Sequence, residues 1–153
     1  MNILMTPEQV LVQFPSPERL SSGLVDNAKI LLAQIKYLVP MLSLEVVEEL
    51  CNDQYSDYVE EYLHAPLAML VRYIAMEHAL VDVGVMGVQQ YSGDTLEAAS
   101  IEMVSRQGAT LRSNAMTLIK EAARALDAYP LLSELYQKNK ACGGVNIRAG
   151  FIF

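Results

Sequence analysis

The chain has 153 residues, enough for one domain with a full core and too few for two comfortable ones. Eighteen acidic against eleven basic side chains give a formal net charge of −7, which leaves no general attraction for phosphate backbones and argues against nucleic acid as a tightly held ligand. Apolar residues make up 52% and charged residues only 19%, a pairing that suggests a surface partly meant for burial against partners and an obligate oligomer, although a large core alone could account for some of it.

The opening stretch, MNILMTPEQVLVQF, places no basic residue ahead of its apolar ones; the first is Arg19, so the pattern of a secretory leader is missing. Thr6, Pro7 and Gln9 supply an N-cap, a proline at the first helical position and a capping-box partner. Ser16 and Pro17 repeat the device, although Arg19 cannot act as its acceptor. Residues 1–23 read as an arm with short helical turns, apart from the core, that either wraps a neighbour or stays loose.

Residues 24–142 read as the helical domain. LVDNAKILLAQIKYLV sets Ala28, Leu31, Ile35 and Leu38 at helical spacing over 24–39, and Pro40 ends or kinks that helix. Ser43 caps a short helix, LEVVEELC, with Glu45 near its positive end; after NDQYSD, Ser56 caps DYVEEYLH. Pro66 opens a helix over 67–83 with Leu67, Leu70, Val71, Ile74, His78 and Val81 on one side and Met69, Tyr73, Met76 and Leu80 on another. A helix apolar on two sides belongs at the centre of a bundle, and Ala68, Ala75 and Ala79 form a small-residue strip that admits a close neighbour.

GVMGVQQYSGDT follows as a β-prone loop or hairpin with turn chemistry at Ser92-Gly93-Asp94. Residues 100–128 read as one long helix whose stripe is Val104, Leu111, Ala115, Leu118, Ala122, Ala125 and Leu126, with Glu102, Arg106, Lys120, Arg124 and Asp127 opposite. Gly108 is a weak point where it could bend. Pro130 stops this helix and starts a short one, LLSELYQKN. Gly143 and Gly144 then release residues 143–153 as an extended, β-prone arm in which Val145, Ile147, Phe151, Ile152 and Phe153 are apolar. The expected fold is therefore all-α, with a β-prone central loop and an extended C-terminal arm.

Chemistry is sparse. Cys51 and Cys142 match no metal or redox spacing, and reduced thiols are the plainer reading. Glu61 and His64 stand at the i, i+3 spacing of carboxylate-bridged di-iron bundles, but the second Glu-x-x-His such a site needs is missing, so a solvated helix end is the competing account. His78 and Asp82 stand at i, i+4 and could form an acid–base pair, although His78 lies on the apolar face where core histidines sit. Neither a Gly-x-Ser-x-Gly elbow nor a phosphate-binding loop occurs. Glu45, Glu48 and Glu49, and Asp57, Glu60 and Glu61, read as solvated faces, while Tyr55, Tyr58 and Tyr62 suit an interface or a packed core equally. No cofactor or metal is expected.

Four segments carry a family resemblance: AKILLAQIKYLVPML with its Tyr-Leu-x-Pro-x-Leu ending, PLAMLVRYIAMEHAL, GVMGVQQYSGDT and RQGATLRSNAMTLIKEAARALDAYP. In this order they resemble the small head-tail connector (head-completion, or adaptor) proteins of tailed bacteriophages, especially those of phages and prophages of Bacteroides-type bacteria. The resemblance spans residues 24–153; the first 23 align with nothing in the family. It implies a structural virion protein of the neck, not an enzyme, assembled in the host cytoplasm as a ring between the portal protein and a tail or stopper protein. Double-stranded DNA would pass through its channel without specific binding. It also implies partner-binding elements, here Val145, Ile147, Phe151, Ile152 and Phe153 in the tail and Val85, Val88 and Tyr91 in the central loop. The tail would pair as an added strand. The alternative is a small helical-bundle ligand binder or enzyme with a polar pocket at His78, Glu77 and Asp82.

Overall fold

A computed structural model describes residues 2–13, 25–81 and 101–141 of the chain. Every element among the described residues is helical, as an all-α fold requires, and no strand occurs among them. The central loop and the C-terminal arm expected from the sequence lie outside the described residues.

The predicted capping box forms at the start. Thr6 N–H donates to Gln9 Oε1 at 2.7 Å and Gln9 N–H to Thr6 Oγ1 at 3.3 Å, launching α1 (Pro7–Gln13). Its surroundings correct the reading of this stretch as an arm apart from the core. Leu4, Met5 and Val10 are buried in the same apolar cluster as the main helices, with Ile3 and Leu11 packed at its edge. The cap signals describe how this turn begins; the apolar positions on either side of them decide where it sits, and they sit inside.

Pro40 does not end the first long helix, which runs on to Leu42. α2 (Asn27–Ala33) passes through a π turn at Gln34–Leu38 into α3 (Val39–Leu42), which contains the proline. The same device recurs downstream, where α5 (Ser56–Tyr58) runs through a π turn at Val59–Leu63 into α6 (His64–Val81). Pro66 therefore lies inside a helix already under way. Ser56 is the first residue of α5, and the Tyr55 cap before it makes no side-chain bond.

The physical reason is shared. In an α-helix a proline ring clashes with the carbonyl four residues back and cannot bond to it. Those residues are Lys36 and Tyr62, and both fall within the π turns. There the bonds reach one residue further: Val39 N–H donates to Gln34 O and His64 N–H to Val59 O.

α6 occupies the centre and packs against α7 (Ile101–Ala125), α1 and α2. Leu67, Leu70, Val71 and Ile74 are buried on the predicted side, joined by Ala68 and Ala75, while Met69, Tyr73 and Met76 are half-buried. The seam of α7 is Gly108, Ala115, Ile119 and Ala122, continued by Leu126 in the 3-10 turn Leu126–Ala128. Leu118, expected in that stripe, is exposed, and Ile119 takes its place. Gly108 lies inside the unbroken α7, and a Cβ there would stand 3.2 Å from Tyr73 Cδ2, so glycine leaves room for the Tyr73 ring against α7.

Two connections fix the remaining helices. Ser43, with φ of 80°, occupies a backbone region that non-glycine residues rarely adopt. Its Oγ accepts Val46 N–H at 3.4 Å to start α4 (Leu44–Glu49), as predicted, and accepts Asn139 Nδ2–H at 3.2 Å from α8 (Pro130–Ala141). The tyrosine stripe resolves as core. Tyr58 stacks on Tyr62 with ring centroids 5.2 Å apart and meets Tyr129 edge-on at 5.2 Å, and Tyr55 approaches Tyr129 at 6.3 Å.

Candidate functional site

The first long helix is apolar on two opposite sides. Ile30, Ala33 and Tyr37 face inward with Gln34, and the extra residue of the π turn swings Leu38 and Leu42 back onto that same inward side. Opposite them stand Ala28, Leu32 and Ile35, with Leu31 at the edge: the i, i+3, i+4, i+7 spacing of a second contact face. Leu32 is 40% exposed and Ile35 52%. This corrects the stripe read from the sequence, of which only Leu38 is buried; Ala28 and Ile35 point to solvent and Leu31 is half-covered. The helix starts firmly, because Asp26 Oδ1 accepts Lys29 N–H at 2.7 Å and Oδ2 accepts Lys29 Nζ–H at 2.6 Å. The Lys29 side chain, through that bond, holds the Asp26 carboxyl below its usual range.

Gln34, fully buried, is the most specific polar contact of the core. Its Oε1 accepts Leu4 N–H at 2.8 Å and its Nε2–H donates to Asn2 O at 3.0 Å. The single Cys51 S–H is shared between Asn2 O, at 3.5 Å, and Val47 O, at 3.4 Å. Burial pushes the Cys51 thiol above its ordinary range, the opposite of what a nucleophilic thiolate needs. Cys51 is free, and Cys142 lies outside the described residues.

Beside this clasp is a cleft of about 250 Å³ lined by Leu4, Cys51, Asp53, Ser56, Glu60 and His64 among others. His64 is buried at its wall, so the solvated helix end expected for it is not found, while Glu61 is exposed. No group of three or more His, Cys, Asp or Glu side chains among the described residues is placed to hold a metal ion. Tyr58 OH donates to Ala122 O at 2.7 Å, and burial pushes its phenol well above the ordinary range, keeping it a neutral donor. The Tyr37 hydroxyl, also buried, has no hydrogen-bond partner among the described residues. Cations flank the Tyr37 ring instead, with Lys36 Nζ 5.4 Å and Arg112 Cζ 5.8 Å from its centroid.

The partner-binding residues expected from the sequence, Val85, Val88, Tyr91, Val145, Ile147, Phe151, Ile152 and Phe153, all lie outside the described residues, as does Asp82. His78 lies on α6 with its side chain outside them too, while Glu77 accepts the Tyr73 hydroxyl hydrogen bond. Sequence reasoning missed Gln34 and Leu32. The signal was available, since two opposed apolar stripes on α2 are visible once both are drawn, as they were for α6. Among the described residues no helix is long and apolar enough to cross a membrane. No protein-family model, curated protein or solved structure matches the chain.

Proposed function

We propose that this protein is an assembly subunit that works through helix faces, and that it serves as a head-tail connector: a ring between portal and tail or stopper proteins in the neck of a virion. The observation that carries the assembly reading is the outward stripe of Ala28, Leu32 and Ile35 on a helix whose inner side already fills the core. Burying a Leu or Ile side chain contributes about 1.5–3 kcal/mol, so an evenly spaced stripe of them is a contact surface for another helix. The sequence resemblance supplies the connector assignment. The tail residues 143–153 and the loop around Val85 to Tyr91 remain further contact elements of this proposal, and the net charge of −7 suits a channel through which DNA slides without being held.

Native mass spectrometry of the full chain, alone and with the portal protein encoded nearest its gene, tests the reading. A ring, or stoichiometric addition to the portal, is expected. The double variant Leu32→Lys/Ile35→Lys should keep its helical circular dichroism and change stability by no more than about 0.5 kcal/mol, as surface substitutions do, while losing the higher species. Assembly that survives this variant would remove the helix face from the reading. A chain indifferent to itself and to the portal would end the connector assignment.

A further inference from the structure

Residues 2–13 are held to the rest of the molecule as a bound peptide would be. The buried Gln34 carboxamide donates to Asn2 O at 3.0 Å and accepts Leu4 N–H at 2.8 Å. That is the donor-and-acceptor pair by which a neighbouring strand reads a main chain. Leu4, Met5 and Val10 then seat as apolar anchors, and Thr6 with Gln9 closes the segment's own helical turn. Outside those anchors α1 is open, and Val12 on it is 75% exposed.

We infer that the Gln34 groove exchanges its occupant: residues 2–13 of one copy seat in the groove of a second copy through the same bonds. Because the groove reads main chain plus a few apolar side chains, its ligand must carry that segment, and a second copy carries it by identity. Residues 14–24, eleven in all, join α1 to the helical domain. Fully extended, such a connection reaches about 40 Å, enough to cross to an adjacent domain. A connection of that length sets an effective concentration on the order of 1 mM for its own segment. Subunits packed together in an oligomer meet one another's segments at comparable concentration. Exchange reuses every native contact and requires no new surface. Two copies exchanging reciprocally close a dimer, and copies passing the segment on in one direction form a ring. The inference rests on the Gln34 geometry and not on the connector assignment.

Half-marked chains test it. One full-length chain carries a thiol only at position 2 (Asn2→Cys, Cys51→Ser, Cys142→Ser) and the other only at Cys51 (Cys142→Ser). Mixed as folded proteins at high concentration and treated with a short bismaleimide, they should give a position 2–position 51 link between chains, identified by mass spectrometry of the joined peptides. Its yield should rise with concentration and fall several-fold when Gln34→Ala is placed in the Cys51-bearing chain. A chain bearing both thiols, handled dilute, reports linkage within one molecule. Efficient linkage there, with none between half-marked chains at millimolar concentration, overturns the inference. If the paired thiols do not link even within one chain, native mass spectrometry of the unmodified protein with a synthetic peptide of residues 1–13 decides. Stoichiometric peptide binding supports exchange, and absence of binding at millimolar peptide overturns it.

Discussion

The two π turns admit proline by the same backbone device and use it to opposite ends. At Val59–Leu63 the turn follows Tyr58, whose ring is stacked, edge-packed and hydrogen-bonded to Ala122 O. At Gln34–Leu38 the turn carries a satisfied Gln34 and, three residues on, a Tyr37 hydroxyl with no partner among the described residues. One region is a finished aromatic core; the other combines a clasp for the N-terminal segment with an unmet polar group. Both rings contribute by burial, but only the Tyr58 hydroxyl adds a hydrogen bond, because the last turn of α7 offers it an acceptor.

Breaking the finished side should cost most. Tyr58→Ala empties a fully buried ring site and removes its hydrogen bond, an expected loss of about 4 kcal/mol in urea unfolding. Tyr58→Phe isolates the hydroxyl and should cost about 1 kcal/mol. On the other side, Gln34→Ala leaves Leu4 N–H without its partner and Asn2 O with only the Cys51 thiol, an expected loss of about 2 kcal/mol with accelerated proteolysis near residues 2–13. A Gln34→Ala variant as stable as the parent would show that Leu4 and Met5 alone hold the segment.

Two smaller changes sharpen the contrast. Asp26→Ala should cost about 1 kcal/mol through the lost N-cap of α2. Since Lys29 depresses the Asp26 carboxyl in the folded state, its contribution is complete above the unfolded value of about 3.9 and is lost as pH falls below it. An acid titration of the parent and Asp26→Asn should therefore converge in stability at low pH. Smallest of all, Tyr37→Phe deletes a hydroxyl that bonds to none of the described residues, and should leave the melting temperature unchanged or raise it by a few degrees. A clear fall in the melting temperature would mean that this hydroxyl has a partner in solution.

The order of elements was legible because caps and prolines act locally. Thr6 with Gln9, Ser43 before α4 and Pro130 at the start of α8 each do in the structure what their chemistry announces. Helix continuity was not legible, because proline signals a break in a 3.6-residue helix and says nothing of a turn widened to avoid its ring. The orientation of α2 was also hidden. With Ile30, Ala33 and Tyr37 on one side and Ala28, Leu32 and Ile35 on the other, hydrophobicity alone gives no direction, and what decides is the Gln34 bond to a segment thirty residues away. On α7 the stripe was right in period and off by one position at Ile119, the ordinary error where Leu118 and Ile119 are adjacent and both apolar.

The Ser43 hydroxyl has a mechanical meaning. It is a single oxygen shared by the first turn of α4 and by Asn139 near the end of α8, set on a backbone that glycine would adopt with less strain. Glycine there would relax the chain and cut the tie. α8 also packs on α4 and buries Leu132, so a pull on its end is shared between that packing and the Ser43–Asn139 pair, and the pair carries its part to the joint between α3 and α4.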